Sequence, residues 1–268
     1  MRLPIIGPVG AFLRMPLTML PDSSGPGGAS IHEVTGLDSP LLETACNLFE
    51  AIFPDERRYL PYLRACAQGR NRSHPNTYDH VWLVRQNGEW AGVRIFSYIT
   101  TRNFGHGAYL GMTPGHRGDG LGTWLVEQTL LQLDRDAARF DGKPTLGYLV
   151  EVERPMDAPD EGQCDSRRKR LKFHRQCGGI ILPVHYTEPV MIEGVDYLDP
   201  ADLQNEAPRP MHLVLIPSKS GSRLPHLDLV DLISGMYLDV YRLQPDHEFI
   251  RKSLSFLKEI VYDRNDKA

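Results

Sequence analysis

No two of the four cysteines, Cys46, Cys66, Cys164 and Cys177, stand in a CxxC spacing, and four thiols in 268 residues are too few for a disulfide scaffold. The pattern fits a reducing compartment, so a cytoplasmic protein is expected. Basic charge is in short supply too. Lys and Arg number 30 against 34 Asp and Glu, a net charge of −4, which argues against nucleic acid as the dominant partner. No run reaches the roughly 18 consecutive apolar residues of a membrane span. The N-terminal LPIIGPVGAFLRMPLTML is broken by Pro4, Pro8, Arg14 and Pro16, and it lacks a strong basic n-region and a clean small-residue cleavage site. His174, His185, His212 and His226 show no ligand spacing, so no metal is expected. What remains, 41% apolar and 24% charged, is the composition of a soluble globular chain.

The stretch PDSSGPGGAS reads as linker, and residues 1–29 are expected to be a poorly ordered extension. A true start at Met15 or Met19 gives the same pattern. From residue 30 the chain becomes periodic. SIHEVTG is a short strand candidate. Ser39 and Pro40 suit the N-cap and first position of a helix that buries Leu42, Ala45, Phe49 and Ile52. A second short helix follows over 55–68. YDHVWLVRQNGEWAGVRIFSY holds two strands around Asn87-Gly88, a pair that tolerates the positive φ of a tight hairpin. HGAYLGM is a further strand, and a helix is expected over 121–137. TLGYLVEVE then reads as a central strand and DSRRKRLKFHRQCGG as a helix ended by Gly178 and Gly179. IILPVHY and MHLVLIP are the last strands.

Four glycines fall within the eight positions 115–122, between a strand and a helix, in MTPGHRGDGLGTWLVEQTL. Such a cluster marks a close backbone approach. A dinucleotide fingerprint needs GxGxxG, but after Gly118 and Gly120 the third position is Thr123. A Walker A loop needs Lys after its last glycine, and Leu121 follows Gly120. Both motifs also expect a parallel βαβ unit rather than an antiparallel meander.

The stretch Arg117-Gly118-Asp119-Gly120-Leu121-Gly122 matches R/Q-x-x-G-x-G/A, and with its flanks it resembles the cofactor loop of the GNAT N-acetyltransferase superfamily. The likeness of element order extends over about residues 30–217. It implies an α/β fold with a mixed, mostly antiparallel central sheet flanked by helices. It also implies acetyl-CoA as co-substrate, held by Leu110, Met112, Arg117, Gly118, Asp119, Gly120, Leu121, Gly122 and Thr123. The physics agrees: loop N–H groups and the unpaired ones of the first helical turn make a concave donor array for a pyrophosphate, and Arg117 adds a charge-assisted bond.

VEVERP resembles the L-E-V-R segment of the ribosomal-protein alanine acetyltransferases, which implies Glu151 as general base. Strand alternation puts Glu151 on the face of Leu149, and Glu153 is the reserve. FHRQCGG resembles the family's F-Y-x-x-x-G-F, with His174 where the acid Tyr stands and Gly179 in place of the last aromatic. His174 is therefore the candidate acid. The MDAPDEGQCDS segment is an insertion against the family pattern. The basic run Arg167 to Arg175 reads as a solvated helix face or a phosphate contact. FPDERRY lies where family members face the acceptor, and residues 187–208 carry six acidic and no basic residues, which would attract a cationic amine.

After Pro217, two amphipathic helices are expected within 218–268. One buries Val230, Ile233, Tyr237 and Val240. The other is capped by Asp246 and carries Ile250, Leu254, Leu257 and Val261. They cover the domain's own sheet or form a homodimer interface. The expected function is acetyl transfer from acetyl-CoA to an amine. The alternatives are an inactive acyl-CoA-binding protein and a transferase using another acyl chain or an alcohol.

Overall fold

The computed structural model describes residues 24–68, 75–140, 143–190, 192, 207–218 and 229–265, with side chains to 257. Eight strands form one sheet in the order β1-β2-β3-β4-β5-β8-β6, with β7 also on β8. They are β1 (Ser30–Glu33), β2 (Thr77–Gln86), β3 (Glu89–Ile99), β4 (Phe104–Met112), β5 (Gly147–Glu153), β6 (Ile180–Ile181), β7 (Tyr186–Glu188) and β8 (Arg209–Pro217). Every pairing is antiparallel except β4 with β5. Asn87 and Gly88 turn β2 into β3 with φ of 51° and 85°, the tight hairpin that the dipeptide predicts.

The sheet has two apolar faces, so its strands read as nearly continuous apolar runs. On one face α1 (Leu42–Ile52), α2 (Leu60–Ala67) and the C-terminal helices cover Val81, Val93, Ile95, Leu149, Leu213 and Leu215. On the other, α3 (Leu121–Phe140) and α4 (Glu161–Gln176) cover Trp82, Phe96, Tyr148, Val150 and Ile216. The fold class expected from the sequence is the one observed.

Several boundaries differ. α1 begins two residues after Pro40, and Ser39 instead takes the Leu41 N–H on its Oγ at 3.3 Å. α4 begins at Glu161, inside the expected insertion, because Asp160 caps it by accepting from the Gln163 N–H at 2.7 Å. It ends as predicted: Gly178 has φ 85°, and the Gly179 N–H returns to the His174 carbonyl. Most of the expected N-terminal extension lies outside the described residues. Within residues 24–29, Pro26–Gly28 forms a 3-10 turn held by the Gln86 side chain. At the other end, α5 (Leu229–Ser234) runs into a π-helical turn over Gly235–Val240, and α6 (Glu248–Asn265) follows. Ile233, Tyr237 and Val240 are buried as expected, while Val230 is exposed. His247, not Asp246, accepts the Phe249 N–H at the start of α6.

Candidate active site

β4 and β5 pair only at Gly105 with Tyr148 and at His106 with Leu149, and then diverge. The gap opens into a groove of about 1300 Å³ that runs from the glycine loop across the sheet end to β7 and β8. That exceeds the ~300–1,000 Å³ of ordinary small-molecule pockets, so it has room for two substrates.

At one end lies the loop. Gly118 and Gly120 have φ of 96° and 80°, which side-chain-bearing residues rarely adopt. The first helical bond of α3 runs from the Trp124 N–H to the Gly120 carbonyl, so the N–H groups of Leu121, Gly122 and Thr123 have no partner within the helix. A Cβ on Gly118 would meet nothing within 4 Å, which leaves an open cradle of the kind a pyrophosphate fills. Arg117 leans back to the Met112 carbonyl through Nε at 3.1 Å, and Lys169 and Arg170 of α4 complete a basic wall. Leu110, Met112, Arg117, Gly118, Gly120, Gly122 and Thr123 all line the groove, as do Glu151 and His174. Asp119 and Leu121 do not; Leu121, the first residue of α3, is buried against the sheet.

At the other end stands Glu151. Its Oε1 accepts from Tyr186 Oη at 2.6 Å and Tyr241 Oη at 2.8 Å, and its Oε2 lies 3.3 Å from Nε2 of His106. The neighbouring Glu153 is bound in ion pairs to Arg167 and Arg170. Beyond Glu151 the groove is lined by Phe53, Glu56, Tyr59, Tyr109, Glu188 and Arg209. Glu188 is paired with Arg209 at 2.8 Å, yet burial, and then the Glu151 charge, push its carboxyl up to about 8. Most of the acidic 187–208 segment lies outside the described residues.

Val150 and Glu151 point to opposite faces of β5, so the groove has two chemically different sides. His174 is on the α4 side. Burial, then the charges of Arg94 and Arg170, push its imidazole down to about 4, which makes it neutral at pH 7. Among the described residues its Nδ1 has no hydrogen-bond partner. An imidazolium acid, the role its motif position implies, is disfavoured in these surroundings.

Glu188 belongs to the acidic 187–208 segment marked in the sequence, whereas Arg94, Tyr186 and Tyr241 are not among the residues the sequence singles out. Arg94 has a signal: it interrupts WAGVRIFSY at a phase shared with buried Phe96. Tyr186 and Tyr241 have none, since only tertiary folding brings them to Glu151. Among the described residues no group of three or more His, Cys, Asp or Glu side chains could hold a metal ion. Nor is any described helix long and apolar enough to cross a membrane.

Comparison with known proteins agrees with the loop. Residues 42–155 match the model of the Acetyltransferase (GNAT) family. No curated protein matches the chain. Among solved structures, a GNAT-family acetyltransferase described as putative, from Bacteroides thetaiotaomicron, is 17% identical over 80% of this chain and 99% of its own, with a TM-score of 0.49. A GNAT family acetyltransferase from Elizabethkingia anophelis, solved with acetyl-CoA bound, is 14% identical over 70% and 97%, with a TM-score of 0.42. The ribosomal-protein-S18-alanine N-acetyltransferase of Escherichia coli is 13% identical over 73% and 98%, with a TM-score of 0.40. The matched segment, residues 42 to 155, spans α1 to the end of β5 and carries both the glycine loop and Glu151, so it is this part of the chain that is similar to the GNAT acetyltransferase family.

Proposed function

We propose that the protein is an N-acetyltransferase that moves the acetyl group of acetyl-CoA directly to a primary amine. The observation that carries this reading is a single groove joining an anion cradle at the start of α3 to the partly buried carboxylate of Glu151 through the gap between β4 and β5. The cradle N–H groups of 118–123, with Arg117 and Lys169, would hold the pyrophosphate, and the diverging strands would take the pantetheine arm. Glu151 would remove the amine proton, directly or through one water, with Tyr186 and Tyr241 fixing its orientation. Glu56 and Glu188, beside the Tyr59 and Tyr109 rings, would draw in the acceptor as an ammonium ion. In this reading residues 30–217 form the acyltransferase domain, and the 218–268 segment completes it by supplying Tyr241. The enzyme would work in the cytoplasm, without a metal.

Calorimetric titration with acetyl-CoA, with NADH and ATP as controls, tests the first half. Binding of acetyl-CoA alone, followed by release of free CoA in a screen of primary amines, is the expected result. Binding without transfer across a broad panel would instead identify an inactive acyl-CoA-binding protein. Preference for a longer acyl-CoA or an alcohol would change the substrate class.

A further inference from the structure

Arg94 is 1% exposed, and no carboxylate of the described residues pairs with it. Its Nε donates to Thr129 Oγ1 at 3.2 Å and its Nη1 to the Tyr109 carbonyl at 3.3 Å. The guanidinium lies against the Phe96 and Tyr148 rings, at 5.4 and 5.0 Å from their centroids. Among the described residues Nη2 has no partner. A buried guanidinium with an unmade hydrogen bond is costly, so its position needs a reason.

The position is specific. A Cβ on Gly107 would meet Nη2 at 2.7 Å and Val150 Cγ1 at 2.9 Å, so the guanidinium fills the space between β4 and β5 just beyond the last paired residues. Gly107 is what lets it in. It also lines the groove on the α4 side with His174, opposite Glu151. This is the end of the gap where, on the proposed function, the sulfur would leave.

We infer that Arg94 stabilises the CoA thiolate as it departs, in place of a side-chain acid. As the amine nitrogen bonds to the acetyl carbon, the carbon–sulfur bond breaks and its electron pair stays on sulfur. The amine proton passes to Glu151. The negative sulfur is met by the Arg94 guanidinium through its unpartnered Nη2, a fixed charge in a water-poor setting, and is protonated by solvent only after release. His174, neutral at pH 7 and so without the readily lost imidazolium proton, is then not needed to protonate the sulfur.

The inference rests on the acetyltransferase reading, and ligand binding tests the two separately. CoA and acetyl-CoA affinities are measured by calorimetry between pH 6 and 9 for the wild type, Arg94→Met and Arg94→Lys. A cation beside sulfur lowers a thiol's pKa by about one unit or more, so wild-type affinity for CoA should rise roughly tenfold over this range while that for acetyl-CoA stays comparatively flat. Arg94→Met should lose the rise and keep its acetyl-CoA affinity, with kcat down by about 10²–10³ and KM for acetyl-CoA little changed. Arg94→Lys, which keeps the charge, should keep part of the rise, and it serves if the Met variant does not fold. Parallel pH profiles for CoA and acetyl-CoA in the wild type overturn the role of Arg94 alone. Absence of acetyl-CoA binding overturns both readings.

Discussion

The Tyr186 hydroxyl donates to Oε1 of Glu151 across 2.6 Å, tying β7 to the centre of β5. Tyr241 donates to the same oxygen from beyond the π-helical turn, so a carboxylate on one strand is held by two distant parts of the chain. Hydrogen bonds to a charged group each contribute about 1.5–3 kcal/mol. Tyr186→Phe and Tyr241→Phe should each lower unfolding free energy by about that amount in urea titrations. Each should also reduce kcat/KM, because Glu151 loses its fixed direction. Unchanged stability in both would mean that the hydroxyls do not hold Glu151.

Which of these features can be read in the sequence depends on how local their causes are. The Asn87-Gly88 hairpin, the Gly178 helix end and the 118–122 cradle are each set by backbone conformations that few residues adopt, so the residue names give them away. Glu151 is legible through strand alternation. For Arg94 the same alternation marks the inward face but not its surroundings, which come from Thr129 on α3, Tyr148 on β5 and the absent side chain of Gly107. α4 starts earlier than the motif predicts because its Asp160 cap lies in the segment that stands as an insertion against the family pattern. Tyr241 follows Val240 and precedes Arg242, and nothing in these neighbours marks it as a ligand of Glu151.

Glu151→Gln keeps the shape and removes the base. The rate of transfer should fall by about 10²–10⁴ at neutral pH with acetyl-CoA affinity nearly intact, as read by single-turnover kinetics and calorimetry. Glu153→Gln should change the rate far less, because Glu153 is committed to Arg167 and Arg170. If the two variants behave alike, Glu151 is not the base.

Glu188 is held up to about 8 by burial and by the Glu151 charge, so it carries a proton for much of the time at pH 7. A cationic acceptor seated beside it would favour the carboxylate and expel that proton. Acceptor binding at pH 7 should therefore release a proton from Glu188, seen as a dependence of the calorimetric heat on the buffer's ionisation enthalpy. In Glu188→Gln that contribution should vanish and KM for the acceptor should rise. A heat that changes with buffer equally in both proteins would place the proton elsewhere.

His80 stands between Glu33, 2.6 Å from Nδ1, and Asp136, 3.0 Å from Nε2, and it clips β2 to β1 and α3. Burial alone lowers its pKa, but the two carboxylates outweigh it and raise the imidazole from 6.5 to about 9. A raised pKa in the folded state stabilises the fold fully below pH 6.5, and that stability is lost as pH rises through about 9. The amount at stake is about 3 kcal/mol. Unfolding free energy should thus fall between pH 6.5 and 9.5 in the wild type, and His80→Gln should flatten that fall. A slope that survives in the variant would assign it to another group.

Gly118 and Gly115 separate backbone geometry from space in the cofactor loop. A Cβ on either would meet nothing within 4 Å, so neither substitution by alanine creates a clash. Only Gly118 has a positive φ, 96°. Gly118→Ala must therefore strain the turn by roughly 1–2 kcal/mol or swing its N–H groups out of the cradle. Either response should weaken acetyl-CoA binding by about tenfold, since a cradle of N–H groups works only while they converge. Gly115→Ala should bind acetyl-CoA as the wild type does. Equal losses in both variants would trace the effect to bulk rather than to the turn, and no loss in either would mean that the 118–120 backbone is not what holds the phosphates.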